Sequence, residues 1–187
     1  MSPITHFLSG WLLANTVPME RRDRALVTLS AVVPDVDGLG IVAEILTRGS
    51  KHPLLWWSDY HHVLHNVGFA VACAGLAFAI GKRRGKTALL VFAGFHLHLV
   101  GDLIGARGPD GDQWPMPYLL PFSDAWQLTW SGQWALNAWP NFLITGVALA
   151  ATFVLAYIRG YSPLELISIR ADSAFVRTVR NRFRGIA

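Results

Sequence analysis

Three apolar stretches dominate what this chain can become: Val63 to Gly81, Thr87 to Ala106 and Ala138 to Ile158. A helix rises about 1.5 Å per residue, so roughly 20 apolar residues match the ~30 Å hydrocarbon layer of a bilayer. Two further runs, Ile4 to Val17 and Ala25 to Pro34, fall short of that length and read as tilted, half-buried or packed inside a bundle. The expected fold is therefore all-α, a polytopic membrane helical bundle with about 3 to 5 membrane segments and a Trp-rich outer loop.

Composition removes the main alternatives. Of 187 residues, 52% are apolar and only 15% charged, which excludes a disordered chain, a collagen and a coiled-coil rod. The single cysteine, Cys73, cannot form a disulfide framework or a cysteine-rich zinc site within one chain, so any metal must be held by His and carboxylate. The net charge of +4 is unevenly placed. Basic residues gather at Arg21, Arg22 and Arg24, at Lys82 to Lys86, and after Ile158, at Arg159, Arg170, Arg177, Arg180, Arg182 and Arg184. The positive-inside rule assigns all three groups to the cytoplasm. The segment Asp102 to Asn137 then lies outside, with Trp114, Trp126, Trp130 and Trp134, followed by Trp139, as an interfacial aromatic belt. An outer face so poor in Lys and Arg argues against nucleic acid as a partner.

Met1 to His6 carries no Lys or Arg, so no cleavable signal is expected and the first helix is read as retained. Two regions follow: 1–160, a membrane-embedded helical domain carrying a metal site, and 161–187, a basic amphipathic cytoplasmic tail. In that tail Phe175, Val176, Val179 and Phe183 alternate with arginines, the pattern of a helix lying on the anionic leaflet.

Ionisable groups at membrane depth are costly and point to function when they face a bundle interior. Measured from the basic loop at 82–86, His65 and Asp102 each lie roughly 25 Å away along their helices, with His98 one turn nearer. Pro34-Asp35-Val36-Asp37 ends the second short run and His6 begins the first, both at the same outer level. Four separate segments thus converge on one layer, which packing alone does not require. His98 and Asp102 sit about 40° apart on one helix face, as His61 and His65 would on a regular helix, and such pairs can reach one metal. His61 is preferred to His62 for that face. His62 and His96 are assigned supporting positions around the ligands. Taken singly, each has an ordinary explanation: a histidine on an apolar helix is commonly a hydrogen-bonded packing residue, and Asp-x-Asp after proline suits a turn or cap.

The set Thr5-His6, Pro34-Asp35-Val36-Asp37, His61-His62-Val63-Leu64-His65-Asn66, His98-Leu-Val-Gly-Asp102 followed by Gly108, and Pro121-Phe122-Ser123 resembles the bacterial membrane-bound metal-dependent hydrolases, inner-membrane proteins of the LexA-regulated type. The resemblance runs from residue 1 to about residue 125. That family is distantly similar to zinc-dependent phospholipase C, in which His and Asp from several helices hold a zinc cluster. The resemblance implies that His6, Asp35, Asp37, His65, His98 and Asp102 take metal-binding positions, with His61 added on the phase argument.

The expectation is a hydrolase of phosphoesters, lipid-linked, in a bacterial inner membrane, with the metal site toward the outer side. One to three divalent ions are expected, zinc before manganese or iron, because His and Asp without Cys suit these metals. Asp35 or Asp37 would orient the attacking water. Arg107 would meet phosphate charge or anchor the chain at the interface. The expected partners are the bilayer and a phospholipid or lipid-linked substrate. The competing expectation is a carrier of metal ions or protons, which needs polar residues continuing to the cytoplasmic side.

Overall fold

The computed structural model describes residues 1–108, 111 and 113–183; Arg184 of the basic tail lies outside them. The described residues form helices and turns without a strand, the nearest being two isolated bridges, Arg107 with Ala135 and Met116 with Leu128. The order is α1 (Pro3–Ala14), α2 (Arg21–Ser30), a 3-10 helix (Val33–Leu39), α3 (Gly40–Thr47), α4 (Trp56–Tyr60), α5 (Val67–Ile80), α6 (Arg84–Gly105), α7 (Trp139–Arg159), a second 3-10 helix (Pro163–Leu166) and α8 (Ile169–Phe183).

Among the described residues two helices are long and apolar enough to cross a membrane, α6 with 22 residues and α7 with 21. A third candidate arises if α2 and the segment Val33–Thr47, bent by 55°, count as one broken span. The run Val63 to Gly81 departs from expectation. Its helix α5 has 14 residues, roughly 21 Å at 1.5 Å per residue. The cause is local: the Asn66 side chain accepts from the Phe69 amide at 2.7 Å and caps α5, while the preceding backbone turns through His62 at φ +83°. His61 and His65 therefore do not share a helix face, which corrects the i,i+4 reading of that pair.

In a bilayer, lipid is as apolar as the side chains, so close packing and polar ties hold helices together. Helix α1 runs through the middle, touching α2, α6 and α7, with Trp11 and Ala14 fully buried. Thr5 of α1 meets Thr145 of α7, hydroxyl to hydroxyl, at 2.6 Å. Asn141 of α7 donates to the Gly105 carbonyl, freed at the end of α6, at 2.8 Å. Ala14, Val27, Ala77 and Val91 form one apolar cluster, and Ala70, Phe95, Leu99 and Met116 another nearer the C-terminal end of α6.

The two ends of the bundle differ in chemistry. At one, the Asp23 carboxylate accepts from the Lys82 and Arg83 amides at 2.8 and 3.0 Å, pinning the α5–α6 turn. Beside it Arg24 makes a two-point pair with Glu165 at 2.8 and 2.9 Å. Helix α8 joins this end, burying Val176 and Val179 and setting Phe175 against Phe153 of α7 at 5.3 Å between ring centroids. The buried part of the apolar stripe read in the tail is thus covered by protein, with the arginines outward. At the other end lie the histidines and aspartates.

Candidate metal centre

Four segments deliver the centre. The second half of α6 supplies His98 and Asp102, one turn apart, with Nε2 to Oδ2 at 3.0 Å. The 3-10 helix that follows α2 supplies Asp35. The turn before α5 supplies His65, and the first turns of α1 bring His6 against the His98 ring, centroids 3.8 Å apart. Gly101 permits that approach, because a Cβ there would lie 2.9 Å from His6 Cε1.

Asp35, His65, His98 and Asp102 each present one ligand atom, all within 4.8 Å of one another. His65 and His98 face each other Nε2 to Nε2 at 3.1 Å. Asp102 Oδ2 is 3.5 Å from His65 Nε2, and Asp35 Oδ1 is 3.9 and 3.6 Å from the two imidazoles. Four ligands at about 2.0–2.1 Å around a tetrahedral zinc would be separated by roughly 3.3–3.4 Å, so the set has the size such an ion requires. Its chemistry agrees. His98 Nδ1 lies 2.9 Å from the Ala31 carbonyl, so Nδ1 carries the proton and Nε2 presents its lone pair, the arrangement metal-binding histidines use. Two imidazole nitrogens turned toward each other between carboxylates could share a cation. The second oxygen of Asp35 is buried without a hydrogen-bond partner, an expense that a ligand would remove.

Exposure divides the four. The side chains of His65 and His98 are 0% exposed and that of Asp102 is 7%, whereas that of Asp35 is 21%. Asp35 therefore forms the open edge. Asp102 turns its other oxygen to His6 Nε2 at 3.0 Å and to the Met1 amino group, so His6 supports a ligand in this geometry.

Asp37 holds a different post from the one the resemblance implies. Its Oδ2 accepts from the His62 and Leu64 amides at 3.0 and 3.1 Å and stands 3.5 Å from His65 Nδ1, on the side of the ring away from the four-atom cluster. It folds the turn that carries His65 and orients the ring. That contact also helps His62 keep its left-handed backbone, which costs roughly 1–2 kcal/mol for an L-residue. His61 lies outside the cluster, its Nδ1 3.3 Å from Asp37 Oδ1. Burial, and then the neighbouring imidazoles of His65 and His61, push the His62 side chain down to about 3, so it stays neutral. His96 is placed elsewhere: its ring bonds the Phe92 carbonyl at 2.8 Å and the Tyr118 hydroxyl at 2.9 Å, packing α6 to the loop between α6 and α7. Arg107 donates to the Ser131 carbonyl at 2.9 Å and braces that loop.

Two tryptophans complete the surroundings. Trp57 stacks on His61 with centroids 3.9 Å apart, and Trp114 lies against His61 and His62 at 5.0 and 4.8 Å. With Ser58 and Pro115 they bound a cleft of about 360 Å³ beside the centre. Trp114 was legible only as a belt residue, and nothing in the spacing around Trp57 tied it to the histidines.

A family model described as YdjM inner membrane protein matches residues 1–171. No curated protein and no solved structure matches the chain. With nearly its whole length inside that match, the chain belongs to the YdjM inner membrane protein family.

Proposed function

We propose that the chain is a membrane-bound metal-dependent hydrolase that cleaves a phosphoester of a lipid-linked substrate with an activated water. The observation that carries this reading is the set of five ligand-atom separations, 3.0 to 3.9 Å, among two imidazoles and two carboxylates from three chain segments. A divalent ion in such a set supplies Lewis acidity toward a phosphoryl oxygen and lowers the pKa of a water toward ~7. His65, His98 and Asp102, all buried, would hold it. Asp35, at the open edge, is placed to orient a water and take its proton. His6 and Asp37 fix the rings and carboxylate, so the site is assembled before substrate arrives.

The basic end belongs on the cytoplasmic side by the positive-inside rule, which turns the centre outward. A carrier would need polar groups leading from the centre to that basic end. The Ala14, Val27, Ala77 and Val91 cluster lies between them, and the buried polar side chains of that stretch, Thr28, Ser30 and Thr87, carry no ionisable group, which favours the hydrolase. The test is turnover of a soluble phosphodiester and of phosphatidylglycerol by zinc- or manganese-loaded protein, beside Asp35→Asn. The reading expects turnover by the wild type and its loss in the variant with metal retained. A metal-loaded wild type inert toward both substrates would overturn it.

A further inference from the structure

Helix α3 is among the least protected elements of the fold. It buries none of its residues, and Leu39, Val42, Ile45 and Leu46 are 66, 52, 63 and 80% exposed. It is nevertheless held firmly to α4: Ser58 donates from its amide and hydroxyl to Glu44 at 3.1 and 3.0 Å. Gly40 lies so close to Trp56 that a Cβ would fall 2.8 Å from its backbone. Between the two helices runs a groove of about 540 Å³, lined by Val36, Leu39, Val42, Leu46, Trp56 and Tyr60, with Asp37 its one ionised residue.

Position gives the groove its meaning. Its wall is the chain that builds the centre: Val36 separates Asp35 from Asp37, and Tyr60 precedes His61. Asp37 lines the groove, and His61, 3.3 Å from Asp37, lines the Trp57–Trp114 cleft. A polar, aromatic cleft and an apolar groove thus adjoin at the Asp37–His61 contact next to the candidate metal. Its volume falls in the ~300–1,000 Å³ range of small-ligand sites, and its walls repel a charged or strongly hydrated occupant.

Resting on the hydrolase reading of the centre, we propose that the groove between α3 and α4 takes one hydrocarbon chain of a phospholipid, whose phosphate then lies at the edge formed by Asp35. The α3–α4 hairpin is in this account a substrate selector: it favours phosphoesters that carry a long chain and draws them from the leaflet.

The test uses full-length protein in phosphatidylglycerol nanodiscs containing a minor fraction of phosphatidylglycerol with a photoactivatable diazirine on one acyl chain. After irradiation, labelled peptides are mapped. The proposal expects labelling concentrated between Val36 and Tyr60, lost when the groove is filled by Ala43→Trp or Val42→Trp, and kept in Leu149→Trp on α7, with metal content unchanged throughout. Labelling spread over α6 and α7 as over any bilayer-facing surface, or unmoved by both groove-filling changes, would overturn it. The wild-type map decides even if a variant fails to fold. Hydrolysis of a soluble phosphodiester bears on the centre alone, so failure of the hydrolase and failure of the groove are read separately.

Discussion

Replacing Asp37 by Asn separates a ligand from a residue that orients one. Two backbone amides, those of His62 and Leu64, converge on one oxygen of Asp37 at 3.0 and 3.1 Å. An asparagine oxygen can accept both, so the turn survives, but the negative charge 3.5 Å from His65 Nδ1 is lost. Removing a partner that orients a metal-bound histidine weakens metal affinity about 10–100-fold, or roughly 1.4–2.7 kcal/mol. Asp37→Ala goes further, leaving two buried amides unpaired at about 1–3 kcal/mol each, and should unfold well below the wild type. The assay is competitive zinc titration against a fluorescent chelator, with thermal unfolding on the same samples. Asp37→Asn is expected to bind zinc 10–100-fold more weakly at nearly unchanged apo stability. Affinity within twofold of the wild type would refute the orienting role, and complete loss of binding would make Asp37 a ligand.

Other outcomes follow from the same packing. Gly101→Ala forces a methyl onto the His6 ring, predicted at 2.9 Å from Cε1, whereas Gly146 has open space; zinc titration should show weaker binding for the first and none of that effect for Gly146→Ala. Glu165→Ala strips the partner from buried Arg24 and should cost about 3–5 kcal/mol in thermal unfolding while leaving zinc affinity intact, since the pair lies at the basic end. In a Cys73→Ser background, Trp126→Cys should react with a membrane-impermeant maleimide on intact cells, and Lys86→Cys only after permeabilisation; the reverse pattern would invert the proposed orientation.

Much of the centre was legible because helical geometry is periodic. The spacing His98 to Asp102 puts both on one helix face, counting residues from the basic loop put His65 at their level, and the alternation of the runs added His6 and Asp35 without any contact being known. What escaped was decided by non-helical backbone. The apolar run from Val63 conceals that Asn66 starts the helix and that His62 turns the chain, so the assumed phase of His61 and His65 had no helix to act on. The division of labour between Asp35 and Asp37 depends on which way each carboxylate points in a 3-10 helix, where a two-residue spacing predicts neither. The α3–α4 hairpin drew no expectation: the eight residues Gly40–Thr47 are too few for a span, and the tie that holds them to α4 joins Glu44 to Ser58, 14 residues on.

The central claim is that His65, His98 and Asp102 hold one divalent metal ion, with Asp35 at its open edge. Its most direct test is the metal content of detergent-purified protein beside the His98→Ala/Asp102→Ala double variant. The account predicts at least one equivalent of zinc or manganese in the wild type, lost in a variant that keeps its helical circular dichroism. Absence of metal from the wild type after supplementation with both ions would contradict it.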